Sequence, residues 1–157
     1  MTIRDLGSDA DASGPLARAR PVAAGKDTTH VAHHHPDVEL RIPADSAYLA
    51  VLRTATAGLA ARLDFTLDDI EDLRIAVDEA CAMVLPQARA GSDLTCTFDL
   101  ETTRLTVAVT ALCDDPRPPN RDGFAWTVLA ALTNKVTAAV DGDRLTVSLA
   151  RGTADAE

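Results

Sequence analysis

Two hydrophobic periods run along this chain, and the points where one gives way to the other mark out its elements. Val38, Leu40 and Ile42 alternate with Asp37, Glu39 and Arg41, the period of two that half-buries a strand, and Pro43 closes it. Beyond Ser46, a residue suited to cap a helix, Leu49, Leu52, Thr56, Leu59 and Leu63 recur every three or four residues and predict a first helix to about Leu63. Thr66 followed by Asp68 and Asp69 forms a second helix start with acidic residues in its first turn. Ile70, Leu73, Val77, Ala80 and Val84 carry that helix to Pro86.

The period of two then returns. Leu94, Cys96, Phe98 and Leu100, and again Leu105, Val107, Val109 and Ala111, alternate with Thr-rich positions and predict a hairpin turning at 101–104. A Pro-, Asp- and Arg-rich loop over 114–122 precedes a third helix over 124–134, and two strands flank the turn signal Asp141-Gly142-Asp143. The order is βααββαββ. Strands with one apolar face need cover on one side only, which predicts an α+β fold with helices on one face of a mainly antiparallel sheet.

Residues 1–36 hold four basic and four acidic residues and almost no large side chains, too little apolar surface to offset the entropy of ordering. The expected organisation is therefore a disordered tail over 1–36, a domain over 37–152 and a short tail over 153–157. His30, His33, His34 and His35 cluster in the first tail. With no patterned scaffold or nearby cysteine to hold them at fixed angles, they are expected to be a solvated linker rather than a metal site.

Composition narrows the function. The 157 residues carry a formal charge of −9 and only two lysines, which leaves no basic surface to track a nucleic-acid backbone. No apolar run approaches the roughly 18–20 residues of a membrane span, so a cytoplasmic protein without direct membrane or nucleic-acid contact is expected. Cys81, Cys96 and Cys113 are odd in number and widely spaced, as packed thiols are rather than a disulfide framework or zinc ribbon.

One helix carries a motif. The stretch Leu73-Arg74-Ile75-Ala76-Val77-Asp78-Glu79-Ala80-Cys81-Ala82-Met83-Val84-Leu85 resembles the N-box helix of the RsbW and SpoIIAB type of anti-sigma factor serine kinases, small members of the Bergerat-fold or GHKL ATPases. Gly123 to Thr133 is similar to the second glycine box of that family and the helix it opens. The V-D-E-x-C and F-x-W-x-V-L stretches resemble the actinobacterial UsfX branch, and the resemblance covers roughly residues 37–150.

The resemblance implies a Bergerat fold and a set of positions. Glu79 stands where the family's general base stands. Met83, four residues on and on the same helical face, stands where an asparagine holds Mg²⁺; a thioether is a poor substitute for a hard oxygen ligand. Ala111 takes the place of the aspartate that reads adenine, and Cys113 and Asp115 those of the first box's glycines. Asp114 would serve only if the strand slipped by an odd step, which would reverse its inward face. In the second box Gly123 remains while Ala125 replaces the next glycine.

These departures imply an anti-sigma factor whose nucleotide pocket is degenerate and which needs no cofactor. The alternative is an active ATP- and Mg²⁺-dependent protein serine kinase. The implied partners are an RNA polymerase sigma factor of the general-stress type, a STAS-type anti-anti-sigma protein and a second copy of the chain.

Several residues carry two readings at this stage. Glu79 is a general base or part of a charged solvated face with Asp78, Arg74 and Glu71. Arg53 matches the family's first-helix partner contact, or is a solvated arginine pairing with Asp45 or acids near Asp64. Phe124 and Trp126 are core residues or a partner anchor.

Overall fold

The structure is a computed structural model and describes residues 34–153. The tail expectations therefore lie mostly outside the described residues, and of the four histidines only His34 and His35 fall within them. His34 Nδ1 stands 3.4 Å from Asp99 Oδ1 at the start of the domain.

The elements follow the periodicity. They are β1 (Val38–Pro43), α1 (Leu49–Arg62), α2 (Leu67–Val84), β2 (Asp93–Glu101), β3 (Arg104–Leu112), α3 (Phe124–Leu132), β4 (Lys135–Asp141) and β5 (Arg144–Gly152). All strand pairs are antiparallel, in the order β1-β2-β3-β5-β4. The fold is α+β, as the alternation and the three amphipathic helices require.

The sheet has two unlike faces. Leu94, Cys96 and Phe98 of β2, Leu105, Val107, Val109 and Ala111 of β3, and Leu145, Val147 and Leu149 of β5 point to one side and are buried. Over them lies α2, against β3 and β5, with α1 and α3 packed beside it. Removing this apolar surface from water is the main force holding the layers together. The opposite face is built of half-exposed Thr and Ser, where the paired residues Thr110 and Thr146 hydrogen-bond through their hydroxyls at 2.8 Å.

The helix starts are fixed locally. Thr66 Oγ1 accepts the Asp69 N–H at 3.2 Å, the cap its position predicts. The start before α1 differs from expectation. Ser46 is not a cap, because residues 46–48 form a 3₁₀ turn and the Asp45 carboxylate accepts the Ala47 N–H at 2.9 Å. The carboxylate one residue earlier reaches a backbone donor that the Ser46 side chain, inside the turn, does not cap. Between α1 and α2 the chain reverses at Asp64 with φ 58°, a left-handed conformation that a short polar side chain tolerates. Gly142 at φ 60° makes the tight β4–β5 turn.

At the N-terminal end of α2 a polar cluster ties three elements together. Arg151 on β5 donates from Nη2 to Asp69 Oδ1 at 2.6 Å and Asp72 Oδ2 at 3.0 Å, and from Nη1 to the Leu132 carbonyl at the end of α3. Its side chain is 19% exposed and that of Asp69 15%. The neighbouring guanidinium, by its hydrogen bond above all, holds the Asp69 carboxyl below its ordinary value. The Leu132 contact puts the end of α3 beside the start of α2, while Gln87, just beyond the far end of α2, bonds the Arg117 backbone in the loop that leads into α3.

Candidate functional site

At that far end the structure gathers the positions that the motif singled out. Glu79 and Met83 lie one turn apart on α2. Glu79 is half-buried, and its carboxylate takes part in none of the side-chain hydrogen bonds or ion pairs among the described residues. Met83 is half-buried and packs against the core, so its side chain has a structural use beside any other.

The strand register decides what β3 presents. Ala111 is buried on the inward face, paired with Leu94 on one side and Leu145 on the other. A methyl group there offers no acceptor to a nucleobase. Pairing continues unbroken to Leu112, so no slip brings Asp114 into line. Asp114 is instead exposed and accepts from Arg89 Nε at 2.8 Å. Cys113 is buried at the strand end, bridged to Ala88, with its N–H donating to the Asp143 carbonyl at 2.7 Å. Asp115 pairs with Arg117 at 3.1 Å.

The loop over 114–122 is fastened to the end of α2. The Gln87 side-chain amide donates to the Arg117 carbonyl at 3.0 Å and accepts the Arg117 N–H at 2.8 Å, so one residue satisfies both backbone groups. Gly123 then leads into α3 in extended backbone, with its carbonyl accepting the Thr127 N–H at 3.1 Å. A Cβ at position 123 would meet the Asn120 carbonyl oxygen at 3.2 Å, so close approach rather than unusual torsion favours glycine here. Ala125, the next box position, is half-buried in the first turn.

The two aromatic residues of this helix part company. Trp126 is buried, with the Arg121 guanidinium 5.3 Å from its ring centre, whereas Phe124 is 84% exposed. Two residues apart on a helix is about 200°, so one faces the core and the other water.

Arg53 lies where α1 meets α2, and its pairing differs from the sequence expectation. Its partner is neither Asp45 nor an acid near Asp64 but Asp78, with Nε donating to Oδ1 at 2.7 Å. The helix crossing brings together residues 25 apart, which local spacing does not reveal. Asp78, Gln87 and the Asp69–Asp72–Arg151 cluster are the positions that motif reading missed. The three thiols are free and buried. Burial pushes Cys81 and Cys96 up to about 12 and raises Cys113, so none is poised as a thiolate.

Comparison with curated proteins finds similarity over about half the chain. The serine-protein kinase RsbW of Halalkalibacterium halodurans is 40% identical over 79 residues, 49% of each chain. Over that half the chain is similar to RsbW serine-protein kinases. The RsbW kinase of Bacillus cereus is 39% identical over 74 residues, and that of Bacillus mycoides 38% over 74, in both cases 46% of each chain. The chain thus spans about half the length of the RsbW proteins it matches, and no family model matches it. The α+β architecture, with a five-stranded antiparallel sheet and three helices, fits the fold that the RsbW resemblance implies. No helix among the described residues is long and apolar enough to cross a membrane.

Proposed function

We propose that the chain is an anti-sigma factor of the RsbW type, binding a general-stress-type sigma factor and releasing it to STAS-type anti-anti-sigma antagonists, with a nucleotide pocket that no longer supports kinase chemistry. The observation that carries the second half is Ala111. It sits buried and apolar, locked in register, where the family reads adenine through an aspartate. Met83 and Cys113 compound the loss, since neither supplies what an ATP–Mg²⁺ complex needs from those places. With a phosphate donor poorly held, Glu79 has no transfer to assist, and sigma binding rests on protein contacts alone. Arg53, half-exposed on α1, is the side chain offered to both partners. The UsfX branch, a cytoplasmic location and a homodimer belong to the same proposal.

A second reading keeps the kinase. It is favoured by Glu79 itself, a half-buried residue whose carboxylate is unpartnered among the described residues, as a base awaiting a hydroxyl would be. In that case ATP and Mg²⁺ are cofactors and a serine of the antagonist is the substrate.

Size-exclusion chromatography with light scattering separates the two, using nucleotide-stripped protein and the general-stress sigma factor of its own organism. A stable complex without nucleotide is expected. A complex that forms only with ATP and Mg²⁺, together with label transfer from ATP to the antagonist that Glu79→Ala abolishes, would overturn the first reading in favour of the second.

A further inference from the structure

The two rims of the sheet are finished differently. β1, one outer strand, alternates Glu39 and Arg41 with its apolar residues and ends in Pro43, and such charges and a missing N–H keep an edge strand from pairing further. β4, the other outer strand, has no proline and no charge between Lys135 and Asp141, and it pairs with β5 without a bulge over its whole length. Its free side is a row of backbone donors and acceptors that no other strand among the described residues meets.

The strand is also close to self-complementary. Read in either direction, Lys-Val-Thr-Ala-Ala-Val-Asp has opposite charges at its two ends, a valine inside each and small residues between. Antiparallel pairing with its own copy about Ala138 sets Lys135 opposite Asp141, Val136 opposite Val140 and Thr137 opposite Ala139, each in both halves of the pair. The faces agree as well. Lys135, Thr137, Ala139 and Asp141 lie on the open face of the sheet, whereas Val136, Ala138 and Val140 lie on the helix side, across from Leu149, Val147 and Leu145 of β5. This register keeps both helix layers on one side of the joined sheet, and a slip by one residue would set them on opposite sides. Lys135 and Asp141 are exposed and in no ion pair among the described residues, and Val140 is 41% exposed.

We infer that β4 pairs antiparallel with β4 of a second copy of this chain, joining two five-stranded sheets into one, with the Lys135 and Asp141 charges fixing the register. This rests on the homodimer of the proposed function only for the second copy and adds the surface through which it is held. A two-fold contact uses both free β4 edges at once, so it closes on itself and does not grow. A strand edge of seven residues falls short of the roughly 800 Å² per partner of a standard interface, so the dimer is expected to be a concentration-dependent equilibrium rather than permanent.

Sedimentation velocity on the full chain over a range of concentrations, with no sigma factor present, tests the pairing. Lys135→Glu and Asp141→Lys each set like charges opposite one another twice per dimer, and each is expected to weaken self-association about tenfold. An equimolar mixture of the two variants should associate as the wild type does, because each introduced charge then faces its opposite. Circular dichroism and the urea midpoint should match wild type in both, since the two side chains are exposed. Hydrogen exchange over 135–141 should slow as the concentration rises, while exchange over 38–43 does not. A dimer indifferent to both substitutions, no recovery on mixing, or protection over 38–43 in place of 135–141 would overturn the inference and leave the homodimer reading intact. A chain that stays monomeric up to about 1 mM, well above the range of weak specific association, would overturn both. Formation of the sigma complex is a separate readout, so neither result bears on the anti-sigma reading.

Discussion

The two ends of α2 are built on opposite principles. At its start, Asp69 and Asp72 close around Arg151 and reach the end of α3, so that three elements share one nearly buried guanidinium. At its finish, the positions that the RsbW resemblance singles out have fewer polar ties: Glu79 is unpartnered among the described residues, Met83 is half-buried against the core, and a loop is held by the amide of Gln87. The polar anchor of the helix and the motif positions thus lie at opposite ends of it. Change at the motif positions leaves that polar anchor of the fold intact.

The sharpest way to break that contrast is Arg151→Met. Removing the guanidinium leaves two carboxylates facing each other, and the partly exposed site should lose about 2–3 kcal/mol, read as a lower urea midpoint at unchanged slope. The pH dependence follows the same cluster. Asp69 titrates below its ordinary value of 3.8 when folded, so the unfolded chain binds its proton more readily. Its stabilisation is complete above the unfolded value and drains away as pH falls toward the lower folded one. Asp69→Asn should flatten the acid limb of the stability profile measured by denaturant titration.

At the other end smaller effects are expected. Met83→Asn should cost about 1 kcal/mol for a half-buried side chain, and should leave fluorescent ATP analogues unbound because Ala111 still lacks an acceptor. Recovered nucleotide binding in that single variant would place the defect in Met83 alone. Gln87→Ala should change global stability by less than about 1 kcal/mol, while hydrogen exchange over 114–122 rises. Native protein at pH 8 should leave Cys81 and Cys96 untouched by Ellman's reagent, since both thiols are buried and pushed up to about 12.

Local chemistry was legible in the sequence, and encounters between distant segments were not. Alternation in β2 and β3 and the Thr66 cap depend on neighbours a few residues away, so spacing alone exposes them. The inward place of Ala111 followed from the same alternation, and with it the argument against Asp114. Arg53 finding Asp78, Gln87 holding the Arg117 backbone and Arg151 bridging Asp69 and Asp72 depend instead on helix crossings and strand order, which single-chain periodicity does not encode. The N-box resemblance reached Glu79 and Met83, and it read Asp78 only as part of a charged face, without its pairing to Arg53. Ser46 was displaced as a cap because a 3₁₀ turn preceding α1 was invisible to a reading based on the 3.6-residue period.

The order β1-β2-β3-β5-β4 places the last-formed strand of the described domain inside the sheet rather than at its rim. Until residue 152 is available, β3 has one bare edge, β4 has no neighbour at all, and the guanidinium that joins α2 to α3 is missing. A ribosome making this chain therefore holds a half-sheet with an unpaired edge until residues 144–152 clear the exit tunnel. Assembly is a late and concerted event, and the interval before it is when a chaperone has most to shield.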